Sequence, residues 1–251
     1  MLDQVRLWVD KWMYRMAPIV KLPKADVRGS LLNAHSLGLR PRHLLDIGAN
    51  AAKWSAIAKR TFPDCAVTMI EPQREMAPKL DAFCRKYTDC RWLCCGVGSH
   101  NGEAEFTVNP NTVGSSFMTS PETAAKNHWE RRKVPIFTIE HLVQEIGHVP
   151  EIVKIDAEGY EFPILSQADC LWGRTELIFV EVNYVNDAPQ TNAFVEMVKF
   201  MDERDYVPFD FSWFCKSKAG RLSIGEVSFV PRGGLLRGKS ATAGGQKKRA
   251  A

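Results

Sequence analysis

Residues 43–50 read HLLDIGAN, and this stretch decides the fold. The run is mainly apolar up to Gly48, although it includes Asp46, and residues 52–62, AKWSAIAKRTF, follow it with helical periodicity. Such an order predicts a short buried strand at 43–48 that turns directly into a helix. Glycine permits the tight turn and the close approach of a ligand to the backbone. We therefore expect the first strand–turn–helix unit of an α/β sheet here.

The alternation of strands and helices continues along the chain. Further strands are predicted at 65–72, 90–98, 151–159 and 176–183, and further helices at 74–87, 161–168 and 190–204. Between them lie an added strand at 102–109, a loop at 110–124 and a strand that runs into a helix at 132–143, and two last strands follow at 206–211 and 225–231. This pattern predicts an α/β fold with a doubly wound, mostly parallel sheet, an added β-hairpin and helices on both faces. In such sheets ligands bind at the carboxyl ends of the strands.

The positive charge of the chain is concentrated at its end. The 33 basic and 29 acidic residues give a net charge of +4, but residues 231–251 hold six cations and no acid, so the remainder has a net charge of −2. Such a body offers no basic groove, and we expect no nucleic-acid partner. The predicted organisation is an N-terminal helical extension (1–41), a main domain (42–231) and a disordered basic tail (232–251).

The first 18 residues predict an amphipathic helix and no targeting segment. Asp3 and Asp10 stand where a secretory signal is basic and then apolar, and no apolar run reaches the 18 residues that span a membrane. We expect this helix to pack on its own domain or on a partner subunit of a homo-oligomer, with peripheral membrane contact as the alternative. The seven cysteines include no CxxC pair, which together with the missing signal predicts a cytoplasmic protein.

Residues at three successive strand ends predict a site for a nucleoside. The first turn combines a glycine with Asn50, whose amide is both a donor and an acceptor. Glu71 closes the second strand, where a carboxylate accepts both hydroxyls of a ribose in dinucleotide folds. The third strand ends in small residues against which an adenine can lie. The candidate cofactor contacts are Asp46, Gly48, Asn50, Glu71, Pro72, Gly96 and Val97.

A nicotinamide dinucleotide is the competing cofactor. Its GxGxxG fingerprint requires glycine at two further positions of the first turn, and this chain has Asn50 and Lys53 there. S-Adenosyl-L-methionine contains no phosphate, and its amino-acid end suits polar groups such as those of Asp46 and Asn50. The turn therefore favours S-adenosyl-L-methionine, with a nicotinamide enzyme as the more distant alternative.

At this point the motifs resemble those of the FkbM-type methyltransferases. LLDIGANAAKWS (44–55), IEPQ (70–73) and VKIDAEGYEFPIL (153–165) are similar to successive motifs of that family, and VGSSF (113–117) and FVEVN (179–183) follow its order. The resemblance extends from about Arg42 to Tyr184. It implies a Rossmann-like, seven-stranded class I methyltransferase that acts on a hydroxyl, commonly in the tailoring of glycans or natural products.

By position, the resemblance implies that Asp46, Gly48, Asn50 and Glu71 contact the cofactor. Ala52 stands where the family usually has glycine. We expect its methyl group to tighten the turn without abolishing binding.

Acidic residues cluster after the strand at 151–159 and predict the reaction centre. Methyl transfer to a hydroxyl is an in-line displacement that a nearby base assists. Asp156 is the preferred base, and Glu158 and Glu181 are further candidates, whereas Lys154 can pair with one of these acids and lower its pKa. The alternative is a structural role for these side chains. Clustered carboxylates also suit Mg²⁺, which is an alternative that is not favoured, and no histidine in this run supports a softer metal.

The loop at 110–124 and the helix start at Glu161 supply candidate substrate contacts. Ser115 and Ser116 follow Gly114, a hinge candidate, and long loops of this kind often cover a site. An ordinary polar connector is the alternative. His128 is interpreted as a surface residue rather than a second base. The aromatic residues Trp213 and Phe214 are expected in the core or at a dimer contact rather than against a sugar.

The leading hypothesis is an O-methyltransferase whose acceptor is a saccharide or another glycoconjugate. A non-sugar hydroxyl on a natural product or lipid is the alternative acceptor, because acceptor pockets are built by variable loops. A non-catalytic binding protein that keeps the fold is the third hypothesis.

Overall fold

Ten strands and seven α-helices are present in residues 26–184 and 193–237, the part of the chain that the computed structural model describes. The strands are β1 (His43–Ile47), β2 (Ala66–Ile70), β3 (Cys90–Leu93), β4 (Gly96–Val97), β5 (Gly102–Val108), β6 (Glu130–Phe137), β7 (Ile152–Ile155), β8 (Leu177–Asn183), β9 (Tyr206–Lys216) and β10 (Leu222–Pro231). The helices are α1 (Val27–Ser36), α2 (Lys53–Thr61), α3 (Ala77–Lys86), α4 (Pro121–Lys126), α5 (Ile139–Ile146), α6 (Glu161–Leu165) and α7 (Phe194–Asp202).

Seven strands form the central sheet in the order β3-β2-β1-β7-β8-β10-β9. The first five pair in parallel, and β10 runs antiparallel to both of its neighbours. The prediction of a mostly parallel, doubly wound sheet is therefore confirmed. The strand order reverses between β1 and β7, so their carboxyl ends form the switch point at which open α/β sheets bind ligands.

Helices cover both faces of this sheet within the described residues. Helices α1, α2 and α3 pack on one face, around side chains such as Leu31, Trp54 and Leu80. Helices α5, α6 and α7 pack on the other face through side chains such as Leu165 and Met197. Every residue of β1 and β7 is buried, as expected for parallel strands that are covered on both sides.

The strand predicted at 90–98 is two strands, which corrects the prediction. Strand β3 ends at Leu93 in the central sheet, and β4 belongs to a second sheet with the order β4-β6-β5. The apolar run continues through Cys94 and Cys95, so hydrophobicity alone does not mark the point at which the chain changes sheets. The predicted added hairpin is present, because β5 and β6 pair antiparallel along their length.

The loop predicted at 110–124 is also corrected, because helix α4 begins inside it at Pro121. The hydroxyl of Ser120 accepts a hydrogen bond from the backbone N–H of Thr123 at 3.2 Å. A serine cap followed by proline at the first helical position is a standard helix start. The signal for this helix is therefore present in the sequence, at the two residues that begin it.

Two predictions concern residues that lie outside the described part. These are the amphipathic helix near the N-terminus and most of the basic tail. The domain boundaries at residues 41 and 231 stay predictions. Within residues 26–184 and 193–237, no helix combines the length and the apolar character that crossing a membrane requires.

An ion pair attaches the small sheet to the connection that follows β2. The guanidinium of Arg132 on β6 contacts both carboxylate oxygens of Glu75, at 2.6 and 2.7 Å. This bidentate geometry is the strong form of the pair. The hydrogen bonds from Arg132 lower the pKa of Glu75 to about 2. The pair holds the small sheet beside the carboxyl end of β2.

Candidate functional site

A cavity of about 270 Å³ lies at the carboxyl ends of β1, β2, β4 and β7. Six chain segments form its wall: the turn after β1, the end of β2, strand β4 with the cysteine before it, strand β5 at Phe106, the segment between β5 and α4, and the turn after β7. The lining side chains and backbone groups belong to Ile47, Gly48, Asn50, Lys53, Ile70, Glu71, Pro72, Gln73, Cys95, Gly96, Val97, Phe106, Thr112, Val113, Gly114, Ser115, Phe117, Asp156, Ala157 and Glu158.

The turn after β1 is tightly wedged between its neighbours. Gly48 has a φ of +74°, and a Cβ atom at this position would lie 1.8 Å from the backbone oxygen of Asp156. Its N–H donates to the backbone oxygen of Ile70 at 2.9 Å. Asn50 and Ala52 also have positive φ values, +45° and +56°. Glycine adopts this left-handed conformation most easily, and the FkbM-type motifs usually have glycine at the position of Ala52.

Glu71 presents a buried carboxylate to the cavity. One of its oxygens accepts a hydrogen bond from the backbone N–H of Asn50 at 2.7 Å, and the other accepts from that of Gln73 at 2.9 Å. Burial raises the pKa of Glu71, and these hydrogen bonds oppose the rise. Each carboxylate oxygen has a second lone pair. Glu71 is therefore able to accept hydroxyl groups such as those of a ribose.

An apolar slot forms the end of the cavity next to the small sheet. It is bounded by Ile70, Val97, Phe106 and Phe117. The Phe117 ring lies so close to Gly96 that a Cβ atom there would be 2.3 Å from its Cζ. A flat aromatic ring with little polar character suits such a slot. The cavity thus combines an acceptor for a diol with space for a base, and its residues fit an adenosyl group.

Asp156 stands on the opposite side of the cavity, with its side chain 34% exposed. Its Oδ2 lies 3.4 Å from the Nζ of Lys154, and the Asp46 Oδ1 lies 3.4 Å from the same ammonium. Lys154 donates to the backbone oxygens of Ile47 and Gly48 at 3.2 and 2.8 Å. Burial alone would lower the pKa of Lys154, but Asp156 and Asp46 together raise it. One buried ammonium therefore links the turn after β1 to Asp156.

Asp46 and Lys154 do not line the cavity. Their side chains lie beneath the turn after β1 and hold it in place. The side chain of Asp46 is fully buried, and its Oδ2 accepts a hydrogen bond from the Ser55 hydroxyl at 2.5 Å. This bond ties β1 to the first turns of α2. Their predicted direct roles, Asp46 as a cofactor contact and Lys154 in catalysis, stay predictions.

The remaining acidic candidates differ in their surroundings. Glu161 is fully buried, its Oε1 accepts a hydrogen bond from the Ala157 N–H at 2.8 Å, and burial raises its pKa to about 8. Glu181, on β8, is also buried, and burial together with Asp156 raises its pKa. Neither residue lines the cavity. Of the acids predicted at the reaction centre, Asp156 and Glu158 line the cavity.

The segment between β5 and α4 covers the cavity. Ser115 contributes to the wall, and its hydroxyl donates to the Gln73 side chain at 3.0 Å. Ser116 does not line the cavity, and its hydroxyl donates to the backbone oxygen of Glu158 at 2.9 Å. His128 is exposed beyond α4, and the side chain of Phe214 on β9 is 51% exposed.

Sequence reasoning did not single out several residues of the wall, among them Gln73 and four residues of β5 and of the segment that follows it. Gln73 stands two residues after Glu71, and its side-chain amide donates to the backbone oxygen of Thr112 at 3.2 Å. A buried glutamine after a site acid is a usable signal, because buried amides require partners. The others come from loop and small-sheet positions without a local pattern: Phe106, Thr112, Val113 and Phe117.

Similarity to known proteins agrees with this architecture. None of the curated proteins compared with the chain matches it. Among solved structures, the methyltransferase FkbM from Methylobacillus flagellatus is 15% identical with a TM-score of 0.49, over 78% of this chain and 47% of that one. The chain thus spans about half the length of that protein.

Two further solved structures are similar in fold. The 1,6-didemethyltoxoflavin-N1-methyltransferase from Burkholderia thailandensis, with bound S-adenosylhomocysteine, is 13% identical over 91% of this chain and 85% of that one, with a TM-score of 0.46. The O-methyltransferase TomG from Streptomyces achromogenes is 14% identical over 92% and 100%, with a TM-score of 0.44.

The family comparison covers the central part of the chain. Residues 46–208 match the family described as Methyltransferase FkbM domain. This range is more than half of the chain. It includes the turn after β1, Glu71, the segment between β5 and α4 and the turn after β7. The resemblance inferred from the motifs is confirmed. The chain belongs to the FkbM methyltransferase family.

Proposed function

We propose that the protein transfers a methyl group from S-adenosyl-L-methionine to a hydroxyl group, and that the acceptor is a saccharide or a glycoconjugate. The observation that carries the proposal is the partly exposed carboxylate of Asp156 in the wall of the adenosyl-sized site, beside the buried ammonium of Lys154. Membership of the FkbM methyltransferase family supports methyl transfer.

The cofactor-binding residues divide the cavity into three parts. Glu71 binds the ribose hydroxyls, and the slot between Val97 and Phe117 holds the adenine. The turn at Gly48 and Asn50 holds the amino-acid end, with Asp46 and Lys154 stabilising the turn from behind. When bound, the cofactor supplies an electrophilic methyl group.

Asp156 acts as the base in this proposal. A sugar hydroxyl is a weak nucleophile, and a carboxylate that accepts its proton makes the oxygen more nucleophilic. The ammonium of Lys154, 3.4 Å away, stabilises the negative charge of Asp156 and restricts its orientation. The acceptor oxygen gives its proton to Asp156 and bonds to the methyl carbon while the methyl–sulfur bond breaks, so that the electron pair stays on sulfur and S-adenosylhomocysteine leaves.

Two carboxylates at the end of the cavity near Asp156 support a saccharide as the acceptor. Asp156 and Glu158 present carboxylates, which accept hydrogen bonds from neighbouring hydroxyls of a polyol. The FkbM-type motifs also imply hydroxyl acceptors that occur on glycans. A lone hydroxyl on an apolar natural product would leave one of the two carboxylates without a hydroxyl partner.

The test is a transfer assay with cofactor labelled by ¹³C in the methyl group. The full chain is incubated with glycans, apolar alcohols and amines, and NMR of the products identifies the methylated atom. Label on a sugar oxygen supports the proposal. Label on nitrogen refutes the hydroxyl, and label only on apolar alcohols refutes the saccharide. Binding of S-adenosylhomocysteine without any transfer supports a non-catalytic binding protein.

Substitution of Glu71 by glutamine tests the cofactor half of the site. Both carboxylate oxygens accept backbone N–H groups, so the amide of Glu71→Gln places a donor against a donor. We expect the Kd for S-adenosylhomocysteine to rise about 10- to 100-fold in calorimetry, the effect of losing hydrogen bonds to a charged group. The exposed Glu103 on β5 provides the matched control, Glu103→Gln. Equal affinities of the two variants would remove Glu71 from the site.

A further inference from the structure

We propose that Glu158 is a positioning residue that latches residues 109–118, here called the lid, over the cofactor cavity. In this role it controls how fast the cofactor enters and leaves rather than the chemistry of methyl transfer. The inference rests on the proposed function for the identity of the cofactor. The latch itself is a property of the ligand-free chain.

Glu158 holds the lid through both its side chain and its backbone. Its Oε1 accepts a hydrogen bond from the N–H of Gly114 at 2.8 Å, and its backbone oxygen accepts one from the Ser116 hydroxyl at 2.9 Å. The Ser116 hydroxyl in turn accepts from the N–H of Met118 at 2.9 Å. One residue of the turn after β7 therefore holds two positions of the lid directly, and it holds Met118 through Ser116.

The other side of the lid is tied to the cofactor half of the site. The backbone oxygen of Thr112 accepts hydrogen bonds from the side chains of Asn50 and Gln73, at 2.6 and 3.2 Å. Ser115 donates to Gln73 as well. The lid thus bridges the cavity from the turn after β1 to the turn after β7. Glu158 holds it at the end of the cavity where Asp156 lies.

The lid forms a large part of the cavity wall. The lid supplies Thr112, Val113, Gly114, Ser115 and Phe117 to the wall. Outward movement of these residues is therefore the change that widens the cavity, and it breaks the contacts with Glu158.

Backbone strain is present at both sides of the latch. Thr112 has a φ of +61° and Glu158 a φ of +52°, values that residues with a side chain adopt at a cost. Such conformations persist where surrounding contacts hold them. Both positions take part in the contacts that hold the lid, Thr112 with Asn50 and Glu158 with Gly114. Burial and the neighbouring Asp156 also raise the pKa of Glu158, so the hydrogen bond to Gly114 weakens when the carboxyl is protonated.

Hydrogen exchange of the ligand-free protein tests the latch directly. In Glu158→Ala we expect peptides that cover residues 109–118 to exchange about tenfold faster than in the parent chain, as expected for losing a hydrogen bond to a carboxylate. Glu158→Gln retains an acceptor oxygen and should restore part of the protection. The control Glu103→Ala, at an exposed acid of the same small sheet, should leave exchange of the lid unchanged.

Dissociation of S-adenosylhomocysteine gives the second readout. We expect its rate to rise about tenfold in Glu158→Ala, while kcat at saturating cofactor falls less than in Asp156→Asn. Unchanged lid exchange together with a lost kcat would overturn the latch and make Glu158 catalytic. Unchanged exchange and dissociation would overturn it as well.

Loss of folding and loss of cofactor binding are both distinguishable from loss of the latch. Melting curves show whether Glu158→Ala is folded. If it is not folded, lid exchange is measured in Ser116→Ala instead. This variant removes only the hydroxyl that contacts the Glu158 backbone and Met118. Unchanged lid exchange in Ser116→Ala would then overturn the latch. Failure of the parent chain to bind S-adenosylhomocysteine would refute the proposed function, whereas lid exchange would still decide the latch.

Discussion

Asp156→Asn should reduce the kcat of methyl transfer by about 10²–10⁴-fold, the usual contribution of a general base. The amide has nearly the shape of the carboxylate but does not accept the proton of the acceptor hydroxyl. Because Asp156 lies across the cavity from Glu71, we expect the Kd for S-adenosylhomocysteine to change by less than about threefold, in the range of a modest lost contact. Transfer of labelled methyl groups and calorimetry measure the two quantities.

The exposed Asp64, in the connection between α2 and β2, provides the control for this variant. Asp64→Asn makes the same chemical change without touching the cavity and should leave kcat unaltered. Full activity in Asp156→Asn would show that another group takes the proton.

Gly48→Ala should abolish cofactor binding and destabilise the fold by about 3 kcal/mol or more. The added Cβ would lie 1.8 Å from the backbone oxygen of Asp156 and 3.0 Å from its carbonyl carbon. Relief requires β1 and β7 to separate at their carboxyl ends, where Lys154 joins them. Urea unfolding measures the free energy of unfolding, and calorimetry with S-adenosylhomocysteine measures binding.

Gly147→Ala separates steric overlap from backbone strain. Gly147 ends helix α5 with a φ of +87°, and a Cβ there would have no neighbour within 4 Å. This variant suffers the penalty of a left-handed backbone alone, about 1–2 kcal/mol, and should bind the cofactor normally. Equal losses of stability in the two variants would contradict the argument from the close approach to Asp156.

The fold was predictable where a buried strand and the helix after it are each marked by a local sequence pattern. Strand β1 and helix α2 follow from one apolar run, a glycine and one helical stretch. The division between β3 and β4 was not predictable in this way, because Cys94 and Cys95 continue the apolar pattern while the hydrogen-bond partners of the chain change from β2 to β6. Pairing partners are non-local, and hydrophobic periodicity carries no information about them.

The candidate site shows a similar division. Glu71 and Asp156 stand at strand ends, and the parallel sheet brings such ends to one edge, so their approach follows from sequence order. The position of Thr112 does not, because its backbone oxygen is held by Asn50 and Gln73, residues 62 and 39 positions away. The role of Glu158 depends on the same loop, which has no regular pattern of its own before α4.

The backbone of the first turn has a consequence for the order in which the molecule folds. Gly48, Asn50 and Ala52 are all left-handed, and of these Ala52 has no intrinsic preference for that conformation. The turn is held instead by Ile70, Glu71 and Lys154, which belong to two other strands. The conformation of this turn therefore depends on contacts from segments far along the chain, and it is complete only once the strand at 152–155 has been synthesised and has paired with β1.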